Sequence, residues 1–169
     1  AVIDGNLNLG AGLSSSAALE IATAVALQTI FKFEMSRIDI AILCQRVEHR
    51  YAGVMCGIMD QFASGLGRKG HALLLDCRTL SHVSIPVALG DYRIVIISSE
   101  VKRELASSAY NESRSQCEDG VLVFKQKDPT VEALRDVSIE ALEACGGELS
   151  EVVYRRCRHV ITETARVLD

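Results

Sequence analysis

Two carboxylates in this sequence sit among apolar neighbours, and acids so placed are better suited to chemistry than acids on a polar face. Asp60 lies in CGIMDQFAS, flanked by Ile58, Met59 and Phe62. Partial loss of water there favours proton uptake and makes the carboxylate a better base, unless a cation offsets it. Glu48 follows Cys44 by four residues, at the edge of an apolar helical stripe. An acid in that position can ligate a metal or orient a ligand that does. Taken singly, each also fits a surface charge or a helix-cap carboxylate.

A third candidate is GAGLSSSAALEIATAVALQ, Gly10 to Gln28. Gly10 and Gly12 permit positive φ and close backbone approach, so the amides of Gly10, Ala11, Gly12 and Leu13 can point inward as an anion nest. The helix behind them offers unpaired N–H groups and its positive dipole end to the same spot. The hydroxyls of Ser14, Ser15 and Ser16 can cap those amides, touch phosphate oxygens, or ligate a Mg²⁺ that keeps some of its waters. No G-x-x-x-x-G-K-[ST] loop is present, and the third glycine of G-x-G-x-x-G is missing. The same residues also suit a plain N-cap in a tight turn or, by composition, a flexible linker.

These residues need elements to hold them. Ser14 to Phe31 reads as a helix apolar nearly all round, and is expected to be central and buried. Ser36 and Asp39 have capping-box spacing and open a second helix, to about Tyr51, with Ile40, Leu43, Cys44, Val47 and Tyr51 as its stripe. A shorter helix is expected from about Gly57. HALLLDC (His71 to Cys77) and HVSIPV (His82 to Val87) read as strands, and YRIVIISS (Tyr92 to Ser99) as a buried strand. Three helical segments follow, over 107–127, 131–144 and 149–168. Gly90-Asp91 is the expected boundary between two α/β groupings.

The chain has 169 residues, 49% hydrophobic and 24% charged, with a net charge of −4. That is globular composition with nothing to attract nucleic acid or an anionic membrane, and no run is long enough to cross a bilayer. The six cysteines have neither metal-ligand spacing nor scaffold density, so they are expected to be buried, reduced thiols of a cytoplasmic protein. His49 falls opposite Ile40 and is expected to be solvated. His71, His82 and His159 stand in no triad-suggestive spacing. The first residue is not Met and the last lie inside a helical pattern, so the chain is expected to be part of a longer protein.

In order along the chain, LGAGLSSSAALE, EHRYAGVMCGIMDQFAS, GHALLLDCRTL and SSEVKRELASSAYNE resemble the galactokinases, members of the GHMP small-molecule kinase superfamily. RRCRHVITETARV fits as well, and the likeness spans essentially the whole chain. The resemblance implies a two-layer α+β fold of GHMP-kinase type, cut at both ends. Residues 1–90 would end a ribosomal-protein-S5-like, ATP-binding N-terminal domain, and 91–169 would begin the C-terminal one. Gly10, Ala11, Gly12, Leu13, Ser14, Ser15 and Ser16 would cradle the ATP phosphates. Ser16 and Glu48 would hold Mg²⁺, and Asp60 would take the proton of the galactose C1 hydroxyl. Gly57, Asp60 and Tyr110 would contact the sugar. Asn8 and Ser113 depart from the family pattern, which has Pro and Arg there. The implied partners are ATP and galactose, and the fragment alone is expected to be inactive; the sequence leaves the oligomeric state open, with a monomer favoured. Another sugar-1-kinase, acting on galacturonate, arabinose or N-acetylgalactosamine, and a non-catalytic sugar sensor are the alternatives.

Overall fold

Helix α1 (Ser15–Phe31) starts directly behind the glycine-serine turn, in a computed structural model that describes residues 2–7, 12–97 and 106–167. The described residues have an α+β composition, with six α-helices and one two-stranded antiparallel hairpin. They fall into two compact units, Ala1–Glu104 and Leu105–Asp169. Among them, no helix is long and apolar enough to cross a membrane.

In the first unit, Ser36 caps α2 (Arg37–Val47). Its Oγ accepts from the Asp39 amide at 3.1 Å and donates to Asp39 Oδ2 at 2.6 Å. This satisfies one of the donors a helix start leaves free. The α2 stripe buries Ile40, Ala41 and Cys44 against α1 and α3 (Met59–Leu66), with Ile21, Ile58 and Phe62 completing the core. The regular helix stops at Val47 and passes into a π-helical turn, Glu48–Ala52, closed by Gly53 at φ 69°. The wider turn rotates Tyr51 off the expected stripe, and it is exposed beneath the Arg50 guanidinium. β1 (His71–Leu75) pairs with β2 (His82–Pro86), Leu73 opposite Ser84, and Leu73 and Leu75 pack on the helical core. The Asp76 carboxylate accepts from the Arg78 amide and the Thr79 hydroxyl, fixing the connecting turn.

Two expectations are corrected here. Helix α1 is not buried all round: Ala17 and Ile21 are covered, whereas Leu19, Leu27, Ile30 and Phe31 are exposed. Residues 92–97 form no strand and are open to solvent, Ile97 at 87%. No described strand pairs with them, and β-branched residues alone do not make a ladder. Ser98 and Ser99 lie outside the described residues.

The second unit packs α4 (Ala106–Lys127) and α6 (Glu151–Arg166) around Phe124, Val131, Leu134, Val137, Leu142, Cys145, Cys157 and Ile161. The single helix expected over 131–144 is instead a 3₁₀ turn, Leu134–Asp136, followed by α5 (Ile139–Ala144). Local hydrogen bonds outcompete a continuous helix. Asp136 Oδ2 accepts from the Glu132 and Ala133 amides, and Ser138 Oγ caps α5 through the Ala141 amide. Gly120 lets α4 approach the Cys157 thiol of α6.

Candidate active site

The phosphate-loop candidates divide at the edge of the described residues. Gly10 and Ala11 lie outside them; Gly12, Leu13, Ser14, Ser15 and Ser16 lie within. Gly12 has φ 76°, the left-handed conformation that glycine adopts without penalty. Ser14 is left-handed too, at φ 53°, and its side chain makes no cap bond to α1. The 17-residue helix therefore starts behind a turn holding two left-handed residues, without the side-chain cap that Ser14 could supply. Ser16 is exposed on the first turn, and Glu20 follows it by four residues on the same helix face.

Glu48 begins the π-helical turn and is only 7% exposed, more enclosed than an edge position requires. It meets Glu20 of α1, which Gln61 of α3, 1% exposed, also engages. Burial, a hydrogen bond with Glu48 and the charge of Glu48 push the Glu20 carboxyl from 4.5 up to about 7, with Gln61 acting in the opposite sense. One oxygen on each of the three side chains, Oε2 of Glu20 and of Glu48 and Oε1 of Gln61, is buried without a hydrogen-bond partner. Buried acceptors left unpaired are costly, and a hard cation or its waters would satisfy them. The donor set therefore fits Mg²⁺, which is commonly held by one or two carboxylates together with waters and phosphate oxygens. Among the described residues, no group of three or more His, Cys, Asp and Glu could form an all-protein cage.

Asp60 stands in the first turn of α3, half-buried, next to Gln61 and three residues after the exposed Gly57. The segment ahead of it is pinned from α2 and its π-helical turn. Gln45 Nε2 donates to the Cys56 carbonyl at 3.1 Å, and His49 Nε2 does so at 2.8 Å. His49 is thus half-buried and bonded rather than solvated, a correction that follows from the change in helical pitch at Glu48. Tyr110 belongs to α4 of the second unit and is 47% exposed. A groove of about 590 Å³ at the other end of α1, lined by Gln28, Glu34, Met35, Ser36 and Asp39, holds none of the site candidates. All six thiols are free, and three of them, Cys44, Cys145 and Cys157, are buried; Cys77, expected inside, is exposed in the hairpin turn.

Sequence reasoning missed Glu20 and Gln61. Glu20 carried a signal: it is the one charged residue between Ser14 and Phe31. Gln61 carried none that would distinguish it from a surface amide.

Residues 1–68 match the model of the GHMP kinases N terminal domain. The chain is also similar to the galactokinase of Lactococcus lactis, whose crystal structure holds galactose, with 35% identity and a TM-score of 0.89 over 96% of this chain. Residues 1–68 therefore carry a GHMP kinase N-terminal domain. The chain's α+β fold is of that type. It spans 42% of the length of the Lactococcus lactis enzyme. The family match covers the glycine-serine turn, Glu20, Glu48, Asp60 and Gln61, all within residues 1–68.

Proposed function

We propose that this protein is a GHMP sugar kinase, and specifically a galactokinase that transfers the γ-phosphoryl group of ATP to the C1 hydroxyl of galactose. The observation that carries the reading is the helix start: α1 opens behind left-handed Ser14 without a side-chain cap, with buried Glu48 reaching its second turn at Glu20. Similarity to a galactokinase crystallised with galactose supports the choice of sugar.

Phosphoryl transfer asks a protein mainly for in-line positioning and charge neutralisation. Gly10 to Ser16 hold the ATP phosphates through turned-in amides and the free N–H groups of α1. Ser16 and Glu48 would hold Mg²⁺, which when bound neutralises charge on the phosphate oxygens. Gly57 and Tyr110 contact the sugar. Asp60 accepts the C1 hydroxyl proton as the sugar oxygen bonds to the γ-phosphorus, while the bond from that phosphorus to the β–γ bridging oxygen breaks and ADP leaves. Residues 1–90 serve ATP and 91–169 begin the C-terminal domain.

The test is ADP release by the full-length enzyme over a panel of galactose, galacturonate, arabinose and N-acetylgalactosamine. Galactose is expected to give the highest kcat/KM, and Asp60→Asn to lower kcat by about 10²–10⁴-fold while ATP binding persists. Near-normal turnover in Asp60→Asn removes it as the base. A different preferred sugar moves the assignment to another sugar-1-kinase, and ATP binding without any turnover moves it to a sensor.

A further inference from the structure

Glu20 has no role in the chemistry above, yet α1 carries this one acid into the protein. The groups acting on its carboxyl are Glu48, which opposes its charge, and Gln61, which donates to it. An acid buried next to an acid costs folding free energy unless something compensates. The three unpartnered oxygens come from three different helical segments: Glu20 from α1, Glu48 from the π-helical turn after α2, and Gln61 from α3. Turning the Gln61 amide over does not resolve the shortage. Its Nε2 already serves Glu20 and lies 3.8 Å from the Cys56 thiol, so a flip would only exchange one orphan for another. Two of the three side chains are more than nine-tenths enclosed, so bulk water does not make up the deficit. Ser16 stands one turn nearer the phosphate end on the face that Glu20 occupies.

Buried acceptors on three side chains that meet at Glu20, with too few donors among them, are completed by a hard cation and its waters. We propose that Glu20 is a second carboxylate of the divalent-cation site, acting across the helix pair with Glu48, and that Gln61 Oε1 receives a water of the bound ion. The inference rests on the kinase reading above for the use of the site, and adds a ligand that this reading does not contain.

Mn²⁺ tests it, because its free aquo ion is counted directly by electron paramagnetic resonance. The purified protein is titrated with Mn²⁺ alone and with a non-hydrolysable ATP analogue. Glu20→Gln and Glu48→Gln are each expected to weaken Mn²⁺ binding about tenfold or more, equivalent to about 1.4 kcal/mol. Glu20→Asp, which keeps the charge, is expected to recover part of the loss. Glu143→Gln in the second unit should change nothing. Glu20→Gln removes a buried like charge, so its melting temperature is expected to equal or exceed that of the unsubstituted protein; if it melts earlier, Glu20→Asp carries the comparison. Mn²⁺ affinity within about twofold of the unsubstituted protein in both Glu20 variants overturns the proposal. If Glu48→Gln still weakens Mn²⁺ and the analogue still binds, the kinase reading survives without Glu20. If the unsubstituted protein binds neither Mn²⁺ nor the analogue, both fall.

Discussion

Replacing Glu20 with Gln removes a carboxyl whose proton affinity the fold raises, and the consequence for stability has a definite sign. Burial, a hydrogen bond with Glu48 and its charge raise the Glu20 carboxyl from 4.5 to about 7. The folded protein therefore holds this proton more tightly than the unfolded chain does. Below pH 4.5 both states are protonated and the group's contribution is complete. Between pH 4.5 and 7 the unfolded chain ionises while the folded one keeps its proton, so stability falls as pH rises. Above pH 7 the loss is complete. At 1.36 kcal/mol per pH unit, a rise from 4.5 to about 7 corresponds to about 3 kcal/mol. Water still reaches part of Glu20, and screening reduces the figure to about 1–2 kcal/mol. Urea unfolding followed by circular dichroism in a chelating buffer, at pH 5 and pH 8, gives the measurement. The unsubstituted protein is expected to lose about 1–2 kcal/mol more than Glu20→Gln over that interval. Parallel pH dependence in the two proteins, or a steeper loss in Glu20→Gln, refutes the reasoning.

Two further outcomes concern the remainder of the fold. A Cβ on Gly120 would collide with the Cys157 thiol and touch Val153 Cγ1 at 3.4 Å. Gly120→Ala is therefore expected to cost about 1–2 kcal/mol in a thermal melt despite its better helix propensity, and to become neutral or stabilising in a Cys157→Ala background. An aromatic disulfide reagent applied to the native protein should label Cys77 first, since it is exposed in the hairpin turn. Cys44 and Cys157 should react only after denaturation, because both are enclosed and burial pushes their thiols up, Cys157 to about 11.

Elements governed by local chemistry were legible in the sequence. Ser36 with Asp39, the hairpin of His71 to Val87 and the long helices α1, α4 and α6 follow from capping, turn residues and periodicity, each set within a few neighbours. Failures occurred where distant packing decides. The apolar circumference of α1 predicted burial on every side, but α2 and α3 cover one face of it. The run 92–97 has strand-forming residues, but a strand needs a partner for its amides, which no periodicity can reveal. Residues 131–144 are a local exception: they were read as one helix because Asp136 and Ser138 look like ordinary helical polar residues, whereas Asp136 turns back on the preceding amides and Ser138 caps a new helix.

The site divides along the same line. Glycine-serine turns and isolated acids announce themselves by type, so Ser16, Glu48 and Asp60 could be named from spacing and resemblance. Gln61 could not, and Glu20 showed only as a lone acid in an apolar helix, because their importance lies in which other helices reach them. Glu48 is drawn inward by the π-helical turn, and that turn is a departure from the regular pitch that sequence patterns assume. The result is two carboxyls and an amide enclosed together on helices that also form the core of the first unit. Such an arrangement is unfavourable for folding alone, as the raised Glu20 carboxyl records. It is favourable once positive charge arrives, because the same low-polarity surroundings that penalise the acids strengthen their attraction for a cation. The burial that costs stability is therefore also the source of binding strength, and Glu20 connects the two, one turn below the serines proposed to face the phosphates.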